Sequence, residues 1–303
     1  MINLAKNQKY VVAFSGGADS ALLAYHLKKE GYNVRLVHVK HPDSKASKDC
    51  EEIANFCSGW ADYYHIPCKI ISMSLDSQKV KDFGTEAGER DGRYAILFNE
   101  LEADEILLTG HHLDDSIETV LFRMIRGSSA KGLSGIRSEN SRLIRPLLQM
   151  RKKEIQQYVE RKSILYRYDN TNDSSELSRG FIRNKVIPLF IEHFHESKFY
   201  SSMKRLMENM HECSELLEEL YNEDIKACDS GATGITRCIF EKMSDSRQRN
   251  FLYFYVSSNT GKFLSKNAIL EIQKRLKSNR RTQKFEIAGV TLLLSQHYFL
   301  LEK

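Results

Sequence analysis

The sequence lacks any C-x-x-C pair: its six cysteines, Cys50, Cys57, Cys68, Cys213, Cys228 and Cys238, are scattered. Scattered cysteines in a chain of 303 residues read as reduced thiols of a cytosol, not as a disulfide framework or a zinc ribbon. Prolines number only four and glycines 16, which argues against long disordered linkers. No apolar run approaches the roughly 18 residues of a spanning helix, so no membrane partner is expected. The first residues show no charged-then-apolar leader, and a cytoplasmic location is the expectation. Excess charge is also missing from the first half. Residues 1–150 carry 19 Lys and Arg against 20 Asp and Glu, whereas residues 151–303 carry 26 against 20. The basic surplus of the second half either suits a polyanionic partner or is a solvated surface.

What is present alternates between two periodicities. Short apolar runs at 10–14, 34–39, 69–73 and 105–109 read as strands, the first of them buried, and the stretches 19–29, 47–65 and 86–102 read as helices. Strands separated by helices predict an α/β fold, a parallel Rossmann-like sheet with helices on both faces. Residues 189–228 contain no proline or glycine and read as helical. Helices at about 245–257 and 264–277 then lead into a hairpin over 284–301, a smaller, mainly helical α+β domain. The boundary is placed near residue 210, giving domains 1–209 and 210–303.

Two motifs fall at strand carboxyl ends, where such sheets bind ligands. Ser15, Gly16, Gly17, Ala18, Asp19 and Ser20 follow the first strand and open a helix. Free N–H groups and the helix dipole favour phosphate there, the serine hydroxyls add donors, and Asp19 can hold magnesium. Gly-Gly alone would equally make an ordinary tight turn. The loop is neither a Walker loop nor a dinucleotide fingerprint.

The second motif, T-G-H-H-L-D-D-S-I-E-T over 109–119, enters a helix from the fourth strand. Asp114, Asp115 and Glu118 lie within a helical turn of one another. They read as capping carboxylates, as magnesium ligands, or as the seat of a substrate amine, which needs deprotonation before it attacks. His111 and His112 would allow zinc, which no neighbouring cysteine supports. Arg123 and Arg126 share a face and read either as a phosphate clamp or as cations complementing a helix C-terminus.

The S-G-G-x-D-S loop resembles that of the N-type ATP pyrophosphatases, the PP-loop family, which split ATP between its α and β phosphates. H-H-x-D-D-x-x-E-T followed by R-x-x-R-G over 123–127 is similar to the tRNA(Ile)-lysidine synthetase family within it. E-A-x-x-R-x-x-R-Y at 86–94, the strand R-P-L-L at 145–148, R-K-K-E-I at 151–155, the turn D-N-T-N at 169–172 and the element from Arg179 to Pro188 match that family in order, over residues 10–190. Gly180 and Asn184 stand where the family has Asn and His, and of its H-G-L-R only His41 survives. The third domain of longer members is expected to be absent.

The resemblance implies a ligase that adenylates the wobble cytidine of an isoleucine tRNA with a CAU anticodon. The ε-amine of L-lysine then displaces AMP to give lysidine. Its cofactors would be ATP and Mg2+. Carried over, residues 15–20 and His111 bind the nucleotide, with Asp19 on the metal. Asp115 and Glu118 take the lysine amine, and Asp114, Arg93, Arg123 and Arg183 join in substrate binding. Arg90, Arg126 and Arg179 hold phosphates or the flipped cytidine. The second domain would recognise tRNA, with Lys274, Arg275, Lys277, Arg280, Arg281 and Lys284 as a phosphate-binding patch or a solvated helix end. A homodimer is left open. The alternatives are a PP-loop tRNA thiolase, which usually carries the C-x-x-C cysteines missing here, another adenylating amide ligase, or an RNA-binding module with a dead fold.

Overall fold

The computed structural model describes residues 3–40, 47–73, 85–140, 142–168, 179–231, 234–278 and 282–302. The chain divides into two compact units, Met1–Met207 and Glu208–Lys303.

In the first unit β1 (Lys9–Ala13), β2 (Asn33–Lys40), β3 (Cys68–Ser72), β4 (Glu105–Leu108), β5 (Glu139–Asn140) and β6 (Leu143–Ile144) form one sheet in the order β3-β2-β1-β4-β6-β5. All pairs are parallel except β5 with β6. Val11 and Val12 are both fully buried, because successive side chains of a central parallel strand point into opposite covered faces. On one face Tyr10, Val12 and Phe14 pack with Leu23 and Leu27 of α1 (Ala18–Lys29) and Trp60 of α2 (Ser47–Tyr64). On the other, Val11, Val37 and Leu107 pack with Leu97 of α3 (Thr85–Asn99). The strand order reverses between β1 and β4, so the crevice at their carboxyl ends is the switch point of the sheet.

α4 (Leu113–Ile125) follows β4, then α5 (Ala130–Leu133) and α6 (Lys152–Arg161). Leu113, Ile117 and Val120 of α4 pack against Ile182, Phe199 and Met203, which fixes α4 beside the segment from 179 to 207. That segment runs through α7 (Arg179–Phe181), a π-helical turn (Ile182–Val186) and α8 (Ile187–Phe194), and then into the long α9 (Glu196–Cys228). Two expectations are corrected. The helix read over 189–228 is broken at His195, whose φ of 62° interrupts the α-helical path. The strand expected at R-P-L-L, 145–148, is not there: β6 ends at Ile144, and 146–149 form turns. The D-N-T-N turn at 169–172 and His41 lie outside the described residues.

In the second unit β7 (Ile235–Thr236), β8 (Gln283–Ile287), β9 (Val290–Leu294) and β10 (Tyr298–Leu301) form an antiparallel sheet in the order β7-β10-β9-β8. Its core joins Leu292 and Phe299 to Phe251 and Leu252 of α11 (Asp245–Thr260) and Ile272 of α12 (Lys266–Ser278), with α10 (Arg237–Lys242) contributing Phe240. Of the six cations read as a patch, Lys277 pairs with Asp245, Arg275 with Glu271 and Lys284 with Glu302. Arg280 and Arg281 lie outside the described residues.

Candidate active site

The loop after β1 is held open from below and braced from within. Gly16 has φ +80°, and a Cβ there would stand 3.1 Å from Phe56 and 3.3 Å from the Cys57 sulfur. Gly17 caps α1 without a side chain. The Ser20 hydroxyl donates to the Gly17 carbonyl at 3.1 Å, accepts from the Ser15 N–H at 3.2 Å, and meets the Ser15 hydroxyl at 3.2 Å. The two serines therefore set the loop shape, while the first N–H groups of α1 have no partner within the helix and form a natural anion seat. Gly110, after β4, brings the second motif against this seat. A Cβ there would lie 3.1 Å from the Asp19 carbonyl carbon and 3.2 Å from the Ser20 nitrogen.

At the start of α4, His112 and Asp115 form a capping box. The His112 N–H donates to Asp115 at 2.9 Å, and the Asp115 N–H donates to the His112 ring at 3.4 Å. Asp114 accepts the Lys152 N–H at 2.7 Å and the Tyr200 hydroxyl at 2.5 Å. Burial, and then the hydrogen bond to Asp114, push the Tyr200 hydroxyl above its ordinary range. Glu118 is 2% exposed and receives both the Nε (2.6 Å) and Nη2 (2.9 Å) of Arg183. Burial raises the Glu118 carboxyl, and Arg183 pulls it back. Nη2 of Arg183 also lies 3.8 Å from Asp115.

These groups share a cavity of about 640 Å3 with Ser15, Gly17, Ala18, Asp19, Lys152, Gln156, Arg167 and Asn184. The Lys152 ammonium sits on both oxygens of Asp19, at 2.9 and 2.7 Å. Among the described residues no group of three or more His, Cys, Asp or Glu could hold a metal. One carboxylate beside an anion seat is the donor set that suits magnesium, which binds through one or two carboxylates plus substrate phosphates. Asp19 fits that requirement.

Eight of the expected residues do not line this cavity: Gly16 and Ser20 of the loop itself, and His111, Arg90, Arg93, Arg123, Arg126 and Arg179. His111 meets the Thr109 hydroxyl at 2.8 Å. Burial, reinforced by Arg145 and Arg90, drives its imidazole down to about 4, so it is neutral near pH 7. Arg93 is exposed on α3. The Arg126 and Arg179 guanidiniums lie 4.2 and 6.0 Å from the Phe122 ring. Arg123 donates to the Gly132 and Gly135 carbonyls at 3.0 and 3.2 Å. Its guanidinium is lowered by burial and by the charges of Arg179 and Arg90. Arg123 is therefore a strut of the glycine-rich turn, a part that its spacing from Arg126 did not suggest. Sequence reasoning had no role for Lys152 or Tyr200 in the cavity. The only local signal was the R-K-K-E start of α6, and Lys152 meets Asp19 across 133 residues.

A switch-point crevice with a glycine loop on one side and a carboxylate-rich helix start on the other defines an α/β protein with a built anion seat. The chain belongs to the PP-loop domain family, whose model matches residues 1–190. It is 34% identical over 240 residues to the tRNA(Ile)-lysidine synthase of Hamiltonella defensa subsp. Acyrthosiphon pisum, covering 74% of this chain and 51% of that one. To the tRNA(Ile)-lysidine synthase of Pseudomonas fluorescens it is 30% identical over 268 residues, covering 82% and 58%. The chain spans about half the length of the curated relatives it matches. In fold it is similar to the U34-tRNA thiolase NcsA from Methanococcus maripaludis with its [4Fe-4S] cluster, with a TM-score of 0.50 and 21% identity over 69% of this chain and 74% of that one. No helix among the described residues is long and apolar enough to cross a membrane.

Proposed function

We propose that the chain is a tRNA(Ile)-lysidine synthetase. In this reading Met1–Met207 performs the chemistry and Glu208–Lys303 engages tRNA. The enzyme is cytoplasmic, and its substrates are ATP, L-lysine and an isoleucine tRNA with a CAU anticodon. The observation that carries the reading is the shared cavity, in which the phosphate loop and the carboxylates of α4 face one space.

ATP lies with its phosphates on the N–H groups at the start of α1. Asp19 would hold magnesium, which would supply positive charge to offset that of the leaving pyrophosphate. The cytidine O2 attacks the α phosphorus and pyrophosphate departs. The lysine ε-amine then attacks carbon 2 of the base and AMP leaves. Asp115 takes the ammonium, with Asp114 held in place by Tyr200 and the Lys152 N–H. Both oxygens of Glu118 rest on Arg183, so Glu118 acts on the amine by orienting Arg183 and Asp115, or directly once Arg183 has turned away. The base must leave its stack to reach this depth. The arginines around Phe122 are the phosphate-binding approach to it.

The thiolase alternative lacks support: no described cysteine lines the cavity, and burial pushes the Cys57 thiol up to about 12. The decisive experiment incubates the protein with ATP, radiolabelled lysine and an isoleucine tRNA bearing a wobble cytidine. Label in the tRNA, dependent on ATP, is expected. Release of AMP with no label in the tRNA would overturn the lysidine reading.

A further inference from the structure

The S-G-G-x-D-S loop differs from a Walker loop in having no lysine, yet a triphosphate brings several negative charges to it. A cation that meets the loop's own carboxylate comes from another element. Lys152 is the first residue of α6, and its N–H is pinned by Asp114 at 2.7 Å. Its ammonium reaches across to Asp19. The main chain of Lys152 is thus fixed, while the head rides on a flexible four-carbon stem with three rotatable donors. The Lys152 side chain is 37% exposed and that of Asp19 25%, so the pair stands at the cavity surface and can part without leaving a buried charge behind. The other cations lining the cavity are placed differently. Arg183 is bidentate on Glu118. The Arg167 guanidinium is 4.0 Å from Glu52, and the main-chain N–H of Arg167 donates to the Gly16 carbonyl at 2.8 Å.

We propose that Lys152 is the phosphate-binding lysine of this site, supplied in trans to the loop, and that its pair with Asp19 is the resting half of an exchange. With the cavity empty, Lys152 neutralises Asp19, which would otherwise repel a triphosphate. When magnesium and ATP enter, Asp19 turns to the metal and Lys152 to the nonbridging oxygens of the β and γ phosphates. When pyrophosphate leaves, the two side chains close on each other again. The inference rests on the ATP-binding part of the proposed function and needs neither lysine nor tRNA.

Calorimetric titrations with ATP, pyrophosphate and AMP, each with magnesium, test it on wild type, Lys152→Met, Lys152→Arg, Asp19→Asn and the double variant Asp19→Asn/Lys152→Met. A charged hydrogen bond lost to Lys152→Met weakens ATP and pyrophosphate by about ten-fold or more, while AMP, which lacks the β and γ phosphates, changes little. Lys152→Arg recovers part of the loss, and thermal melts confirm that each variant is folded. If Lys152 served only to neutralise Asp19, replacing it in the Asp19→Asn background would cost nothing, and the proposal would be wrong. Equal losses for ATP and AMP would also overturn it. If wild type binds neither ATP nor pyrophosphate, the ATP reading itself falls. If wild type binds both and Lys152→Met matches it, only the lysine assignment falls.

Discussion

The two ends of α4 stand in opposite electrostatic surroundings. At its first turns every carboxylate has a matched donor: Asp114 the Tyr200 hydroxyl, Asp115 the His112 N–H, and Glu118 the Arg183 fork. Asp19 beside them has Lys152. One turn further on, around Phe122, the charges that act on Arg123 are those of Arg179 and Arg90, both cations. Like charges gathered in one place repel one another, and an arriving phosphate relieves that repulsion. The contrast separates two kinds of binding surface. A pocket that holds both signs of charge can take a ligand with charges of both signs by exchanging partners, whereas a cationic rim waits for a polyanion.

The sharpest way to break this division is Asp19→Ala. AMP formation with tRNA should fall on the order of a hundred-fold or more, given the several kcal/mol of a metal clamp. The melting temperature should hold, because Asp19 is a surface ligand and not core. Turnover of ATP at the wild-type rate would move the phosphate site elsewhere. Next in size is Arg183→Met, which strands the buried Glu118. Removing one partner of a buried pair costs about 3–5 kcal/mol, and the 39% exposure of the Arg183 side chain puts this case at or below the low end. Urea unfolding measures it, and adding Glu118→Gln should restore most of the loss. A change too small to resolve would mean that Glu118 escapes by taking up a proton.

A smaller effect sharpens the rim. Arg123→Ala removes two charged hydrogen bonds and should cost about 1.5–3 kcal/mol. Arg126→Ala should stay within about 0.5 kcal/mol, yet raise the KM for tRNA and flatten its salt dependence. If the two variants behave alike, the rim is not divided into strut and contact. The smallest effect concerns pH. His111 titrates at about 4 in the fold against roughly 6.5 in an unfolded chain. Between those values the unfolded chain binds the extra proton, so this residue makes stability fall as pH drops through the window. His111→Gln should make the decline between about pH 6.5 and pH 4 shallower, as read by urea melts at several pH values. An unchanged slope would show that His111 titrates normally.

Much of the first unit was legible because a central parallel strand is a continuous apolar run, and the two motifs stand directly after such runs at 10–14 and 105–109. The R-P-L-L strand, carried over from the family resemblance, misled. Leu147 is fully buried, but it lies in a turn after Pro146, and burial alone does not distinguish a strand from a packed turn. Three-residue spacing put Arg123 and Arg126 on one face, but did not tell which of them the following glycine-rich turn would take up. The pairs Asp19–Lys152 and Asp114–Tyr200 join residues 133 and 86 apart. They arise from chain topology, to which local periodicity is blind.

Glu118 and Phe122 are four apart on α4, and the groups that meet them, Arg183 and Arg179, are also four apart. Four residues of helix rise about 6 Å, so the pocket and the rim are graduations on a single rod. Tolerance to change along that rod should therefore depend on its kind. Substitutions at 119–121 alter packing and leave the spacing intact. Inserting or deleting one residue there would swing everything beyond it by about 100°, turning Phe122 and its arginines away from the face that carries Glu118.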